Sequence, residues 1–163
     1  MLNRPNALTQ RGGDTVVMEH VAEGLRELGG HVDIDITGGR NPREYVPVHP
    51  HHCAPPEYTE QRPRRVHAAG IPFVVTTMYE DLPLFYNQMI VQAQCLASYV
   101  NEGQPTDRWP EFSRSMNQVN PAPRFENGWV AKHARALIAS GEREKQTLLR
   151  DYPESKNVSV YTL

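Results

Sequence analysis

The chain has little of what marks several large protein classes. Only two of its 163 residues are cysteine, Cys53 and Cys95, which builds neither a disulfide framework nor a paired-cysteine zinc site. A reducing compartment, the cytoplasm, is expected. Charge of one sign is not in excess: 17 Lys+Arg stand against 19 Asp+Glu, a formal net charge of −2. No bulk electrostatic term therefore favours nucleic acid. No apolar run approaches the length that spans a bilayer, and the stretch from Met1 to Asp14 is too polar for a signal peptide. Internal repeats and low-complexity tracts are missing as well. What remains is a chain long enough for one domain with a substantial core.

The most informative feature present is Gln10-Arg11-Gly12-Gly13-Asp14-Thr15, a diglycine immediately before a helical pattern. Glycine lets the backbone turn sharply and approach a ligand closely. A helix start offers unpaired N–H groups and partial positive charge, which suit a phosphate or other anion. Most Gly-Gly pairs only make turns, so the flanking pattern carries the argument. From Thr15 to Leu28 the residues Val17, Val21, Ala22, Leu25 and Leu28 recur at helical spacing, with Asp14 or Thr15 able to cap the start and Gly29-Gly30 to close the end. Val32, Ile34 and Ile36 then alternate with Asp33 and Asp35, the period of a strand.

Helix then strand is half of a βαβ unit, which implies a strand before the helix. Only Met1, Leu2 and Asn3 are there to supply it, so that strand is expected to be very short or missing. Gly38 to Pro63 holds six of the 14 prolines and reads as irregular, with one short strand over Tyr45–His49. Arg64 to Ala69 reads as the end of a short helix closed by Gly70, and Pro72–Thr77 as a buried strand. Tyr79, Glu80 and Asp81 follow at its carboxyl end, where open α/β sheets place their ligands. Helices are predicted over Leu84–Val100, Trp109–Val119, Trp129–Arg135 and Glu142 to about Tyr152. Strands are predicted over Ala136–Ala139 and Val158–Tyr161. Glu142 and Glu144 sit in a helical first turn, where they oppose the dipole favourably. The fold class expected is α/β, a mainly parallel sheet with helices on both faces.

In this order and spacing the elements resemble the N-terminal domain of family-4-like glycosyltransferases of the GT-B fold. Arg4-Pro5-Asn6-Ala7 with Thr9 to Thr15 is similar to that family's first loop and helix start. Val48-His49 and Gly70 to Thr76 are similar to two of its strands, and Tyr79-Glu80-Asp81 to its acceptor-side motif. Gly103-Gln104-Pro105 with Trp109, Ala134 to Ala139, Gly141-Glu142 and Asp151-Tyr152-Pro153 extend the likeness to the end. The resemblance implies a Rossmann-like domain that binds the acceptor and faces a second domain holding a nucleotide-sugar donor. That donor-binding half lies beyond Val158–Leu163, so a C-terminal domain or partner subunit is implied and the chain alone is expected to be inactive. The nucleotide-sugar acts as co-substrate, and no cofactor is implied. The departures are the short first strand, Pro50-His51-His52-Cys53 where the family has an apolar-Phe-Asn sequence, and Pro63 inside a helix.

The candidate substrate-binding residues are Gly12, Gly13, Asp14, His49, Tyr79, Glu80 and Asp81. The glycine loop would cradle a diphosphate or the acceptor; the plain alternative is a turn with Asp14 as cap. Glu80 or Asp81 could orient an acceptor hydroxyl; the plain alternative is a solvated strand end, and neither is assigned a catalytic role. His49, His51, His52 and Cys53, with His67 further along, carry imidazole and thiolate that zinc accepts, but their spacing matches no standard site and no metal is assigned. Arg62, Arg64 and Arg65 could meet a phosphate or an anionic membrane surface, and more commonly such residues form a solvated face. Trp109 and Trp129 read as core or interface anchors.

The function expected is transfer of a sugar from a nucleotide-sugar to an unidentified acceptor, with retention, in the cytoplasm or at the inner face of the membrane. The rivals are a non-catalytic acceptor-binding or regulatory module, and a metal-binding protein built on His49, His51, His52 and Cys53. A sheet lacking its first strand and its opposing domain would also expose edges and apolar surface, so self-association is expected.

Overall fold

The computed structural model describes residues 1–51, 60–79 and 128–163, together with Met89 and Ala93. The chain divides into two units, one made of Met1–Glu80 with Phe125–Leu163 and the other of Asp81–Arg124. In the second unit Met89 and Ala93 are helical and exposed. The rest of the helices expected over Leu84–Val100 and Trp109–Val119 lies outside the described residues, as do His52, Cys53, Glu80 and Asp81.

The first unit is α/β. Three parallel strands, β1 (Val74–Thr76), β2 (Ala136–Ala139) and β3 (Ser159–Thr162), lie side by side in that order. Val75, Leu137 and Val160 stand in register across them, each apolar and on one face. Single parallel bridges continue the sheet beyond β1. Val48 pairs with Phe73 and His51 with Thr76; Leu2 then pairs with Pro50 on one side and Asp35 on the other.

The first strand is thus present, reduced to one residue. Leu2 N–H donates to His49 O at 2.9 Å, His51 N–H to Leu2 O at 2.8 Å and Asp35 N–H to Met1 O at 2.8 Å. The strand expected over Val32–Ile36 shrinks to Asp35 for the same reason, because so short a partner can extend no ladder. Tyr45–His49 also shifts. Pro42–Glu44 forms a 3-10 turn, and pairing begins only at Val48.

The helices are α1 (Gly13–Glu27), α2 (Gln61–Ala68), α3 (Gly128–His133) and α4 (Glu142–Asp151). Helix α1 starts two residues before the apolar pattern, with Gly12 as its N-cap and no side chain capping it. Its buried residues are Asp14, Thr15, Met18 and Ala22, whereas Leu25 and Leu28 are exposed. The stripe is rotated because Thr15 packs inward and donates to Ala7 O at 3.0 Å. Pro63 sits in the first turn of α2, where no intrahelical donor is needed, and so does not break the helix.

The main core joins Phe73, Val75, Leu137 and Ala139 of the sheet to Val66 of α2, Val130 of α3 and Leu148 of α4. Trp129 anchors this face as its aromatic character suggests. Its ring stacks on Phe73 at 6.2 Å and on His133 at 4.3 Å, with the Arg64 guanidinium 4.3 Å above it.

Candidate functional site

The strands end towards one edge, and two loops meet there. One is the loop from Asn3 to Gly13 that enters α1; the other is Thr77–Tyr79 after β1. A Cβ placed on Gly13 would lie 3.6 Å from Met78 Cε, so the two loops are in contact range. Met78 is left-handed at φ 43°, which costs a non-glycine residue on the order of 1–2 kcal/mol.

The glycine loop is held from below. Arg4 Nε donates to Asp14 Oδ2 at 2.9 Å and Arg4 Nη2 to Asp14 Oδ1 at 3.2 Å. Arg4 also bonds Asn6 and Gln10 O, which fixes the loop's path. Asp14 therefore anchors the loop through Arg4 and does not cap the helix. Gly12 is needed here, since a Cβ would sit 2.8 Å from Asp14 Oδ1. Gly13 has ordinary clearance, so the fold itself does not demand glycine there. Arg4→Ala is expected to lower stability by about 1–2 kcal/mol in urea denaturation. Arg11→Ala, which removes an exposed pair with Glu19, should change nothing measurable.

Beneath the start of α1 lies a buried polar row. The register sets His51 beside Thr76, and His49 Nε2 is 2.9 Å from Thr76 Oγ1. His49 and His51 stack with ring centroids 4.3 Å apart. Burial lowers the pKa of His49 to about 4 and, with the neighbouring His49, that of His51 to about 3. Both rings are neutral at pH 7. His51 is 3% exposed, and among the described residues neither of its ring nitrogens has a hydrogen-bond partner; Asn3 Nδ2, equally buried, has none there either. Buried polar atoms are normally satisfied by protein, water or ligand, so this row marks where such a partner belongs.

Tyr79 is drawn towards α4. Its N–H donates to Glu144 Oε1 at 2.7 Å, its hydroxyl donates to Asp151 at 3.0 Å, and its ring packs edge-on to Tyr152 at 5.3 Å. Desolvation pushes its phenol pKa up. Glu144 also accepts from the Thr77 hydroxyl and from Ser140 N–H at 2.8 Å. It thereby ties the carboxyl ends of β1 and β2 together. Charge alone did not separate it from Glu142, but Leu148 one turn on is a core residue. That spacing puts Glu144 on the inward face.

The structure sets Gly12, Gly13 and Asp14 at the start of α1 against Met78, places His51 near Asp14, and stacks His49 on His51. His67 lies elsewhere, against Trp129 and His133. Among the described residues no group of three or more His, Cys, Asp or Glu is placed to hold a metal ion. None of their helices is long and apolar enough to cross a membrane.

Fold and site together define an α/β domain with a parallel sheet, whose carboxyl edge carries a glycine loop and unsatisfied buried polar atoms. Comparison with protein-family models, curated proteins and solved structures returns no match.

Proposed function

We propose that the chain is the acceptor-side, Rossmann-like domain of a glycosyltransferase of the family-4-like type, one half of a GT-B enzyme. The observation that carries this reading is the Gly12-Gly13 loop. It opens α1 at the carboxyl edge of the sheet, within reach of the strained turn at Met78. The order of connections supports it. From Leu2 the chain crosses to Asp35 on one side, then returns to Pro50 on the other and continues to β1. Ligands bind where neighbouring connections diverge in this way. Right-handed crossovers would also place α1 on the face opposite α2, α3 and α4, and Met18 and Ala22 of α1 are buried apart from the main core.

In this reading the loop amides face the phosphates of a sugar phosphate or nucleotide-sugar. The buried row of Asn3 and His51 meets hydroxyls of the acceptor, and the donor-holding residues come from a second domain. The domain's part in the reaction is to position the acceptor and exclude water. Gly13→Ala tests it, because the fold has room for a Cβ there and a ligand lying on the loop does not. In amide-resolved NMR titration with nucleotide-sugars and sugar phosphates, shifts are expected at Gly12, Gly13 and Asp14. They should be lost in Gly13→Ala at an unchanged melting temperature. No shift with any of these ligands would remove the reading.

A further inference from the structure

A cavity of about 830 Å³ lies beside the first strand; it takes His49 from the row described above but shares no residue with the glycine loop or with Thr77–Tyr79. Its apolar wall includes Leu2, Val46, Val48 and Val66. Its polar rim is formed by the loop after Asp35 and by the start of α2. There the three arginines of that segment separate. Arg62 and Arg65 line the cavity, whereas Arg64 points away, pairs with Glu60 and covers Trp129.

The side-chain charges around the cavity do not balance. Among the described residues Arg40, Arg62 and Arg65 stand against Asp33 and Asp35, three against two. Arg40 is satisfied by Asp33 at 3.0 Å. Asp35 spends its oxygens on the loop, accepting from Thr37 N–H, Thr37 Oγ1, Gly38 N–H and Arg40 N–H at 2.8–3.0 Å. Among the described residues Arg62 and Arg65 have no carboxylate partner. Arg62 donates to Asn3 O and to Ile36 O, and Arg65 to Gly38 O at 2.5 Å. Gly38 is required at this point, being left-handed at φ 71° and leaving only 3.0 Å between a Cβ and Arg62 Nε. The loop receives these guanidinium groups through carbonyls, and no carboxylate among the described residues neutralises their charge.

We infer that this cavity binds a small organic anion, a carboxylate, sulfonate or phosphate on an aromatic or branched apolar body. Arg65 and Arg62 hold the anionic group, and Val46, Val48 and Leu2 hold the body. The volume lies in the range of small-molecule sites, which pair an apolar lining with a few placed polar groups. A guanidinium already fixed by a carbonyl bond meets an oxyanion with little further loss of freedom.

The test uses the intact chain and two fluorescent probes that share one apolar body. One is 8-anilino-1-naphthalenesulfonate and the other N-phenyl-1-naphthylamine, which lacks the sulfonate. The sulfonate probe is expected to saturate at one site per chain and to bind at least about tenfold more tightly than the neutral one. Arg65→Gln, at an exposed position, should remove most of that difference while leaving the neutral probe unchanged. Val46→Glu, also exposed, should weaken the anion by adding like charge and interrupting the apolar wall. Displacement by naphthyl phosphate or by naphthylacetate then tells a phosphate ligand from a carboxylate one. Equal affinity for the two probes, a sulfonate affinity indifferent to Arg65→Gln, or failure to saturate at one site would each overturn the inference.

Discussion

Glu144→Ala is expected to lower the unfolding free energy by about 3–5 kcal/mol, measured by urea denaturation at neutral pH. The carboxylate is 9% exposed and is held by hydrogen-bond donors rather than by a cation among the described residues. Tyr79 N–H, Ser140 N–H, the Ser140 hydroxyl at 2.5 Å and the Thr77 hydroxyl all point at its two oxygens. Removing it strips these partly buried donors of a shared charged acceptor, although the Thr77 hydroxyl keeps Ile138 O at 3.2 Å. The helix adds to this, since Glu144 lies in the first turn of α4 near the positive end of the dipole. Its reach back to Ser140 is a variant of the capping box, extended one residue before the N-cap. Glu142→Ala on the exposed side of the same turn is the control and should have little effect. If the two variants lose equal stability, the hub assigned to Glu144 does not exist. Glu144→Gln should fall between, because an amide keeps one acceptor and turns a donor towards the other donors.

Acid should destabilise this domain earlier than carboxylate titration alone would. His49 and His51 have folded-state pKa values lowered to about 4 and about 3 by burial, while an exposed histidine titrates near 6.5. The unfolded chain therefore binds protons below pH 6.5 that the folded chain refuses. The stabilising contribution is complete above pH 6.5 and is lost progressively as pH falls towards the folded values. For His51 the loss is on the order of 4 kcal/mol over that window, at about 1.4 kcal/mol per unit. The melting temperature should fall by roughly 10 °C or more between pH 7 and pH 4. His51→Leu isolates the cause, since leucine fills a similar space and takes up no proton. That variant should keep its stability at pH 7, where two unsatisfied nitrogens have been exchanged for methyl groups. Its acid limb should be visibly flatter. An acid limb identical to that of the parent chain would show that His51 is hydrated in the folded state, and would remove the buried row from the site.

Much of the secondary structure was legible because it depends on neighbours in sequence. Ala136–Ala139 is a strand over the residues expected, and the helix after Gly141 runs to Asp151, two residues before Pro153. The glycine turn before α1 was equally readable, and the helix begins there, at Gly13 with Gly12 as its N-cap. The elements that moved are those whose form depends on a distant partner. Val32–Ile36 alternates as a strand should, but its partner offers Leu2 alone, and a ladder can be no longer than its shorter side. Tyr45 has the composition of a strand residue, yet its hydroxyl is taken up by Asp33 at 2.7 Å, and pairing starts three residues on.

The chain by itself determined which segments are helical or extended and where glycine permits a close approach. Those follow from local sterics and from the 3.6- and 2-residue periods, which a few neighbouring residues express. Only the tertiary structure decided which polar residues are buried and what they hold. Asp14 binds Arg4 ten positions away, Glu144 joins Tyr79 from 65 positions away, and Arg62 reaches Ile36 across 26. It also separated Arg62 and Arg65 from Arg64, and His49 and His51 from His67. The physical reason is that desolvation, hydrogen-bond satisfaction and charge balance depend on everything within a few ångströms of an atom. Most of those neighbours are remote along the chain.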